Sequence, residues 1–240
     1  MKAQERHHLK QNEFAIQAAK VAESFSQNRS RITVMVVAAI VIATAVGGYF
    51  WWAKRTNDAA SALLGQATAT AQAQIAPAPT LPGATQAAGT YPTEQARDEA
   101  ALKAFQSVAA AYPSTASGLA AQYHVATTLM SLGRLPEAEQ TFRDVTSRGG
   151  TSIYASMAKM GQVSALVGQS KYDDAIKLLT DMSADRDGAL PIDGVLIELA
   201  RTYVKAGKTQ EARAAFKRVV DEFPQSTYAG DARQQLSQME

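Results

Sequence analysis

Chemistry has few places to start in this chain. Its 240 residues hold no cysteine and three histidines, which excludes disulfides, thiolate nucleophiles and cysteine zinc sites. His7 and His8 stand side by side, but a metal site needs further ligands and no third one accompanies them. His124 lies inside "LAAQYHVATTLM" and reads as part of a helix surface rather than as a catalytic base. The stretch "DMSADRDGALPIDG" gathers Asp181, Asp185, Asp187 and Asp193. It resembles a calcium loop in charge alone, because alternating ligands, a central glycine and a closing glutamate do not fall at the required offsets. It reads as a polar turn, with Gly188 and Pro191 as its breakers. Glycines come singly or as Gly149–Gly150, so nothing resembles a phosphate-cradling loop. No enzyme, cofactor or metal is expected.

The elements that would position any site announce themselves in a repeated phrase. Residues 100–113 read "AALKAFQSVAAAYP" and residues 211–224 read "EARAAFKRVVDEFP". Ala101, Phe105, Val108, Tyr112 and Pro113 return as Ala212, Phe216, Val219, Phe223 and Pro224, 111 residues later, or three steps of 37. Single steps land on Ala138 and Ala175, on Phe142 and Leu179, and on Val145 and Met182. A small residue, a large apolar one four later and another three after that make one face of a helix. A fixed period of this length marks stacked repeats.

Gly133, Gly168 and Gly207 each follow an apolar stretch and precede a new helix, as helix C-caps do. Their spacings of 35 and 39 assign the middle repeat a turn two residues longer. They also align Gly161 with Ala126 and Ala200 as the small residues where paired helices come close. A closing helix over 227–239 is expected to bury Tyr228, Ala232, Leu236 and Met239. It would expose Arg233, Gln234 and Gln238, as suits the end of a solenoid.

Residues 32–52, "ITVMVVAAIVIATAVGGYFWW", carry no charge over 21 positions. A helix of that length spans roughly 30 Å, the thickness of a bilayer's hydrocarbon core. A cleaved signal peptide has a shorter apolar region, of about 7–15 residues, nearer the N-terminus. The run also ends on Tyr49, Phe50, Trp51 and Trp52, which suit a membrane interface. Lys20, Arg29 and Arg31 precede it against Lys54 and Arg55 after it, which places the N-terminus in the cytoplasm and exports the rest. Within the span, Ala39, Ala43 and Gly47 form a stripe of small residues that lets another helix approach.

The cytoplasmic tail, 1–31, holds six basic and three acidic residues. Phe14, Ala18, Val21 and Phe25 fall on one face of a short amphipathic helix there, suited to a membrane surface or a partner. After the span, residues 53–76, rich in Ala and Gln, continue as a helical extension. Residues 77–92 concentrate Pro, Gly and Thr as a flexible linker, and 93–240 form the repeat domain. Residues 93–240 carry sixteen basic and eighteen acidic residues, which offers no large basic surface to nucleic acid. The fold class expected is all-α: a single N-terminal transmembrane helix followed by an α-solenoid of helix pairs.

The repeating pattern resembles the tetratricopeptide repeat: a helix with small and large apolar residues, a glycine turn, a helix with Ala and Phe, and a closing Pro. About three repeats fall in 119–226, with a half repeat before them at 93–113. Gln122, Met157 and Leu196 stand where that family usually opens each repeat with a large aromatic. The phrases "YPSTASGLAAQY" and "FPQSTYAGDARQQL" are similar to repeats of bacterial envelope proteins, among them the cell-division coordinator of the Tol–Pal system. The layout of tail, single span and exported repeat domain resembles the ancillary subunit family of the SecYEG translocon. That resemblance implies a bacterial inner-membrane protein with a periplasmic domain. Its partners would be proteins or extended peptides, among them translocon subunits, envelope chaperones or emerging polypeptides; the alternative couples cell division to outer-membrane or peptidoglycan machinery. In this repeat class the first helix of each pair lines a concave groove. The resemblance then assigns Tyr123, Thr127, Met130, Gln162, Leu166, Ile197, Arg201, Val204 and Lys205 to a protein-binding groove.

Overall fold

The structure, a computed structural model, describes residues 29–78, 85–185 and 188–239. The expected tail helix, His7, His8 and Asp187 lie outside them. Two compact units divide the chain, Met1–Arg55 and Thr56–Glu240. Among the described residues there are nine helices and one pair of two-residue strands. They are α1 (Arg29–Ala71), β1 (Gln74–Ile75), β2 (Thr90–Tyr91), α2 (Glu94–Ala111), α3 (Ala116–Ser131), α4 (Leu135–Gly149), α5 (Ile153–Gly168), α6 (Tyr172–Ala184), α7 (Ile192–Lys205), α8 (Thr209–Glu222) and α9 (Ala229–Gln238).

In the first unit, α1 leaves its apolar side chains open on every side. Val34, Val37, Ile40, Val41 and Ile42 are exposed, as are Phe50 and Trp51. A helix apolar all round has no water-facing stripe, and the most apolar window of α1, mean hydropathy 2.1, has none of its residues buried. It is a candidate membrane span. At its end the Arg55 guanidinium lies 5.6 Å over the Trp51 ring, a cation over an aromatic face.

The second unit begins inside α1. Ala60 and Ala67 are fully buried, and Ala67 belongs to one apolar cluster with Ala101, Leu102 and Phe105 of α2 and Ala121 and Val125 of α3. Leu64 and Ala71 pack on the same cluster, and the Ser61 and Ser117 hydroxyls lie 3.1 Å apart. Residues 56–71 therefore complete, with α2, the helix pair that the sequence presents as a half repeat. The chain between them is an insertion within this unit, not a connection between units. β1 and β2 pair in parallel, Gln74 beside Thr90 and Ile75 beside Tyr91. Gln86 Nε2 ties the returning chain down by donating to the Ala76 carbonyl and Thr90 Oγ1.

From α2 onward each helix packs on its neighbours in sequence, and α3 also packs on α5. All twelve positions picked out by the 37-residue step are buried. They include Phe105, Phe142, Leu179 and Phe216 between the helices and Ala101, Ala138, Ala175 and Ala212 at the close approaches. Thr93, Thr115 and Ser152 cap α2, α3 and α5 by accepting from Ala96, Gly118 and Ala155 amides, which satisfies donors that a helix start leaves free.

The turns inside the pairs correct the expected register. Arg134, Lys171 and Lys208 amides donate to the carbonyls of Leu129, Leu166 and Tyr203, each at 2.9 Å. The residues just before them, Gly133, Ser170 and Gly207, hold φ of 72°, 60° and 72°. These turns fall 37 residues apart throughout, so the middle repeat has no longer turn. Its left-handed residue is Ser170, and Gly168 is instead the last residue of α5. A Cβ on Gly168 would lie 2.9 Å from Leu135 Cδ1, so its smallness serves packing and not the turn. Likewise Val163, not Gly161, takes the place of Ala126 and Ala200; a Cβ on Gly161 would meet the Phe142 ring at 2.4 Å. At the far end α9 buries Ala229 and Ala232, while Tyr228 is exposed as its N-cap residue, contrary to expectation. The helix starts later than the sequence pattern indicates, and Tyr228 lies beside Gly194 instead.

Candidate protein-binding face

The nine residues assigned to a groove do not share one environment. On α3, Tyr123, Thr127 and Met130 are half-buried. Tyr123 stands among His124, Phe142 and Tyr154, with ring centroids 5.6–5.8 Å away. Burial, and then the Tyr154 hydroxyl, push its own hydroxyl pKa up. On α7, Arg201, Val204 and Lys205 are exposed, but Ile197 is 1% exposed and belongs to the C-terminal core. The closing segment lies along the same helix, which explains that burial. Arg201 Nη2 donates to Asp231 Oδ2 at 2.8 Å, and Ser226 Oγ donates to Asp193 Oδ2 at 2.6 Å. Arg201 also pairs with Glu198, and these hydrogen bonds, Asp231 first, raise its pKa further. Its guanidinium thus ties α7 to the closing segment while the side chain stays 44% exposed.

Gln162 and Leu166 are two residues out of register, and their assignment is corrected here. Leu166 occupies the place of Leu129 and Tyr203 and is 3% exposed. Gln162 lines a shallow pocket with Glu139 and Arg143 of α4 and Asp174 and Lys177 of α6. That is the side of the second helices of the pairs. Glu139 anchors it: burial alone would raise its pKa, but hydrogen bonds from Lys171 and Gln169 outweigh burial and hold it low. The 37-residue step from Tyr123, Thr127 and Met130 leads instead to Met160, Ser164 and Val167. Ser164 is exposed and the other two are half-buried. Met157, an early residue of α5, is exposed as well. Stepping from the flanking repeats rather than from the glycines leads to Met160, Ser164 and Val167 but not to Met157.

Acid–base chemistry gains nothing from the fold. His124 stacks on Phe105, centroids 4.9 Å apart and planes 20° from parallel, and burial lowers its pKa. Among the described residues no group of three His, Asp or Glu side chains comes together as a metal site. Asp181 lines the pocket beside Gln162, Asp193 accepts from Ser226, and Asp185 lines a separate cavity.

The profile of the tetratricopeptide repeat-like domain family matches residues 23–240. No curated protein matches the chain. Among solved structures, nearly identical TPR-like repeats from Podosopora anserina align at 19% identity and TM-score 0.51, over 60% of this chain and 77% of theirs. Their Q17M variant aligns at 20% and 0.50 over the same shares. A tetratricopeptide repeat protein from Parabacteroides merdae aligns at 14% identity and TM-score 0.48, over 60% of this chain and 54% of its own.

Proposed function

The chain belongs to the tetratricopeptide repeat-like domain family, and we propose that it is a membrane-anchored adaptor that captures protein partners outside the cytoplasm. Repeats of this kind make a protein–protein interaction scaffold, and the proposal adds where it works and on what. Residues 32–52 anchor it in a bacterial inner membrane, 1–31 stay in the cytoplasm, and the repeat unit stands in the periplasm. One observation carries this reading: an uncharged run of 21 residues, exposed at every position from 33 to 52, followed in the chain by a folded repeat unit. Partners are polypeptides near the translocon or envelope chaperones. The bound surface is the face of the first helices, Tyr123, Thr127 and Met130 on α3, Met157, Met160, Ser164 and Val167 on α5, and Arg201, Val204 and Lys205 on α7. A face rich in methionine adapts to varied apolar segments.

Crosslinking in native membranes, followed by identification of the captured proteins, tests this directly. Met157→Glu with Val204→Glu places charge at two exposed positions and should cut capture several-fold while circular dichroism stays at wild type. Undiminished capture by that folded variant would remove this face from the mechanism. Recovery of Tol–Pal or wall-synthesis proteins in place of translocon components would favour the division-coupling role. A phosphatase that matures only outside the cytoplasm, fused after Glu240, should be active; an inactive fusion reverses the orientation.

A further inference from the structure

Because the turns recur every 37 residues, the junctions between successive pairs can be compared position by position. At the first junction Arg148, at the end of α4, reaches back to Gln122 Oε1 on α3 and to the Pro113 carbonyl in the α2–α3 turn, donating to both. One period later the same places hold Asp185, Lys159 and Gly150. A short carboxylate stands where a long guanidinium crossed the gap, and an ammonium stands where an amide oxygen received it. Among the described residues neither Asp185 nor Lys159 has an ion pair or side-chain hydrogen bond, to each other or elsewhere.

A cavity of about 520 Å3 lies beside Pro113, Leu119 and Arg148 at the first junction, and one of about 200 Å3 lies at the second. Thr151, Ser156, Lys159 and Asp185 are the polar side chains of the second cavity, and Met182, Leu190 and Val195 supply apolar surface. Sites for drug-sized ligands run to roughly 300–1,000 Å3, so the occupant is smaller. A cation and an anion lining one cavity also select against ligands of a single charge, since one side chain repels either sign.

We propose that this cavity binds a small zwitterion, an α-amino acid with an apolar side chain. Its carboxylate meets Lys159, its ammonium meets Asp185, and its side chain rests on Met182, Leu190 and Val195. The site is independent of partner capture, because no residue in it belongs to the face described above.

The full chain in detergent micelles, titrated calorimetrically, provides the test. The probes are L-leucine, leucine amide, which lacks the carboxylate, and N-acetyl-leucine, which lacks the ammonium. Leucine should bind about tenfold tighter than either blocked analogue. Asp185→Asn should erase the preference over N-acetyl-leucine, and Lys159→Gln the preference over leucine amide. Lys159→Gln combined with Asp185→Arg rebuilds the pairing of the first junction. That variant should melt several degrees higher and lose leucine binding. No leucine binding at millimolar concentration overturns the proposal, as does equal binding by wild type and the rebuilt variant. A zwitterion preference surviving both single substitutions, with circular dichroism unchanged, overturns it too.

Discussion

Ser170 holds a left-handed backbone in the same place where Gly133 and Gly207 do, at φ of 60° against 72°. A residue with a Cβ accepts that conformation at a cost of roughly 1–2 kcal/mol, and glycine adopts it freely. Ser170→Gly is therefore expected to stabilise the folded unit by about 1 kcal/mol, reduced somewhat by the greater freedom glycine gives the unfolded chain. Gly133→Ala and Gly207→Ala should move urea midpoints the opposite way. A Ser170→Gly protein that melts earlier than wild type would show that the serine hydroxyl, not the backbone, governs the turn. The same residue explains why sequence reading lost the register of the middle repeat. Glycine was the visible sign of a turn, and Gly168 stood two residues from a position that a serine fills. The apolar positions carried no such ambiguity, because burial of Phe142, Leu179 and Phe216 depends on volume rather than on one conformational exception.

At the scale of elements, the step of 37 was legible because each helix buries a stripe against the next, and that stripe repeats. Pairing between 56–71 and α2 was not legible. An Ala-rich helix shows little apolar periodicity, and an intervening loop closed by β1 and β2 hides the partnership in sequence distance. Ile197 was misread for a similar reason: a position half-open in earlier repeats is covered where the closing segment returns along α7. The pairing of 56–71 predicts a difference between two fragments. Residues 56–240 should melt in one cooperative transition. Residues 93–240 lose the helix that carries Leu64, Ala67 and Ala71 into the shared cluster. Fully uncovering a leucine costs roughly 1.5–3 kcal/mol; half-buried Leu64 accounts for part of that, and the faces of α2 and α3 that these residues cover are uncovered with it. The shorter fragment should thus unfold about 2 kcal/mol more easily, with α2 amides exchanging first. Equal stability of the two fragments would return 56–71 to the role of a spacer.

For the whole molecule, the proposed division of labour is recognition by the repeats and concentration by the span. Linking a binding unit to the compartment of its partner makes capture effectively intramolecular, and gains of roughly 10²–10⁴ in apparent affinity follow without a new contact. Fragment 56–240, released as a soluble protein, should then capture a membrane partner far more weakly than the full chain at equal abundance. Raising its concentration should restore capture, since the recognition face is intact. Fusing 56–240 behind an unrelated membrane helix separates two causes of the loss. If residues 32–52 serve only to confine, the unrelated helix restores crosslinking in full. Failure of the unrelated helix, with the fusion correctly inserted and folded, would mean that the span itself recognises the partner. Ala39, Ala43 and Gly47 then become the residues to change, because no side chain lies within 4 Å of where a Cβ on Gly47 would stand. Gly47→Leu in the native span would fill the space that a close helix contact needs, and loss of crosslinking in that variant would place recognition inside the membrane.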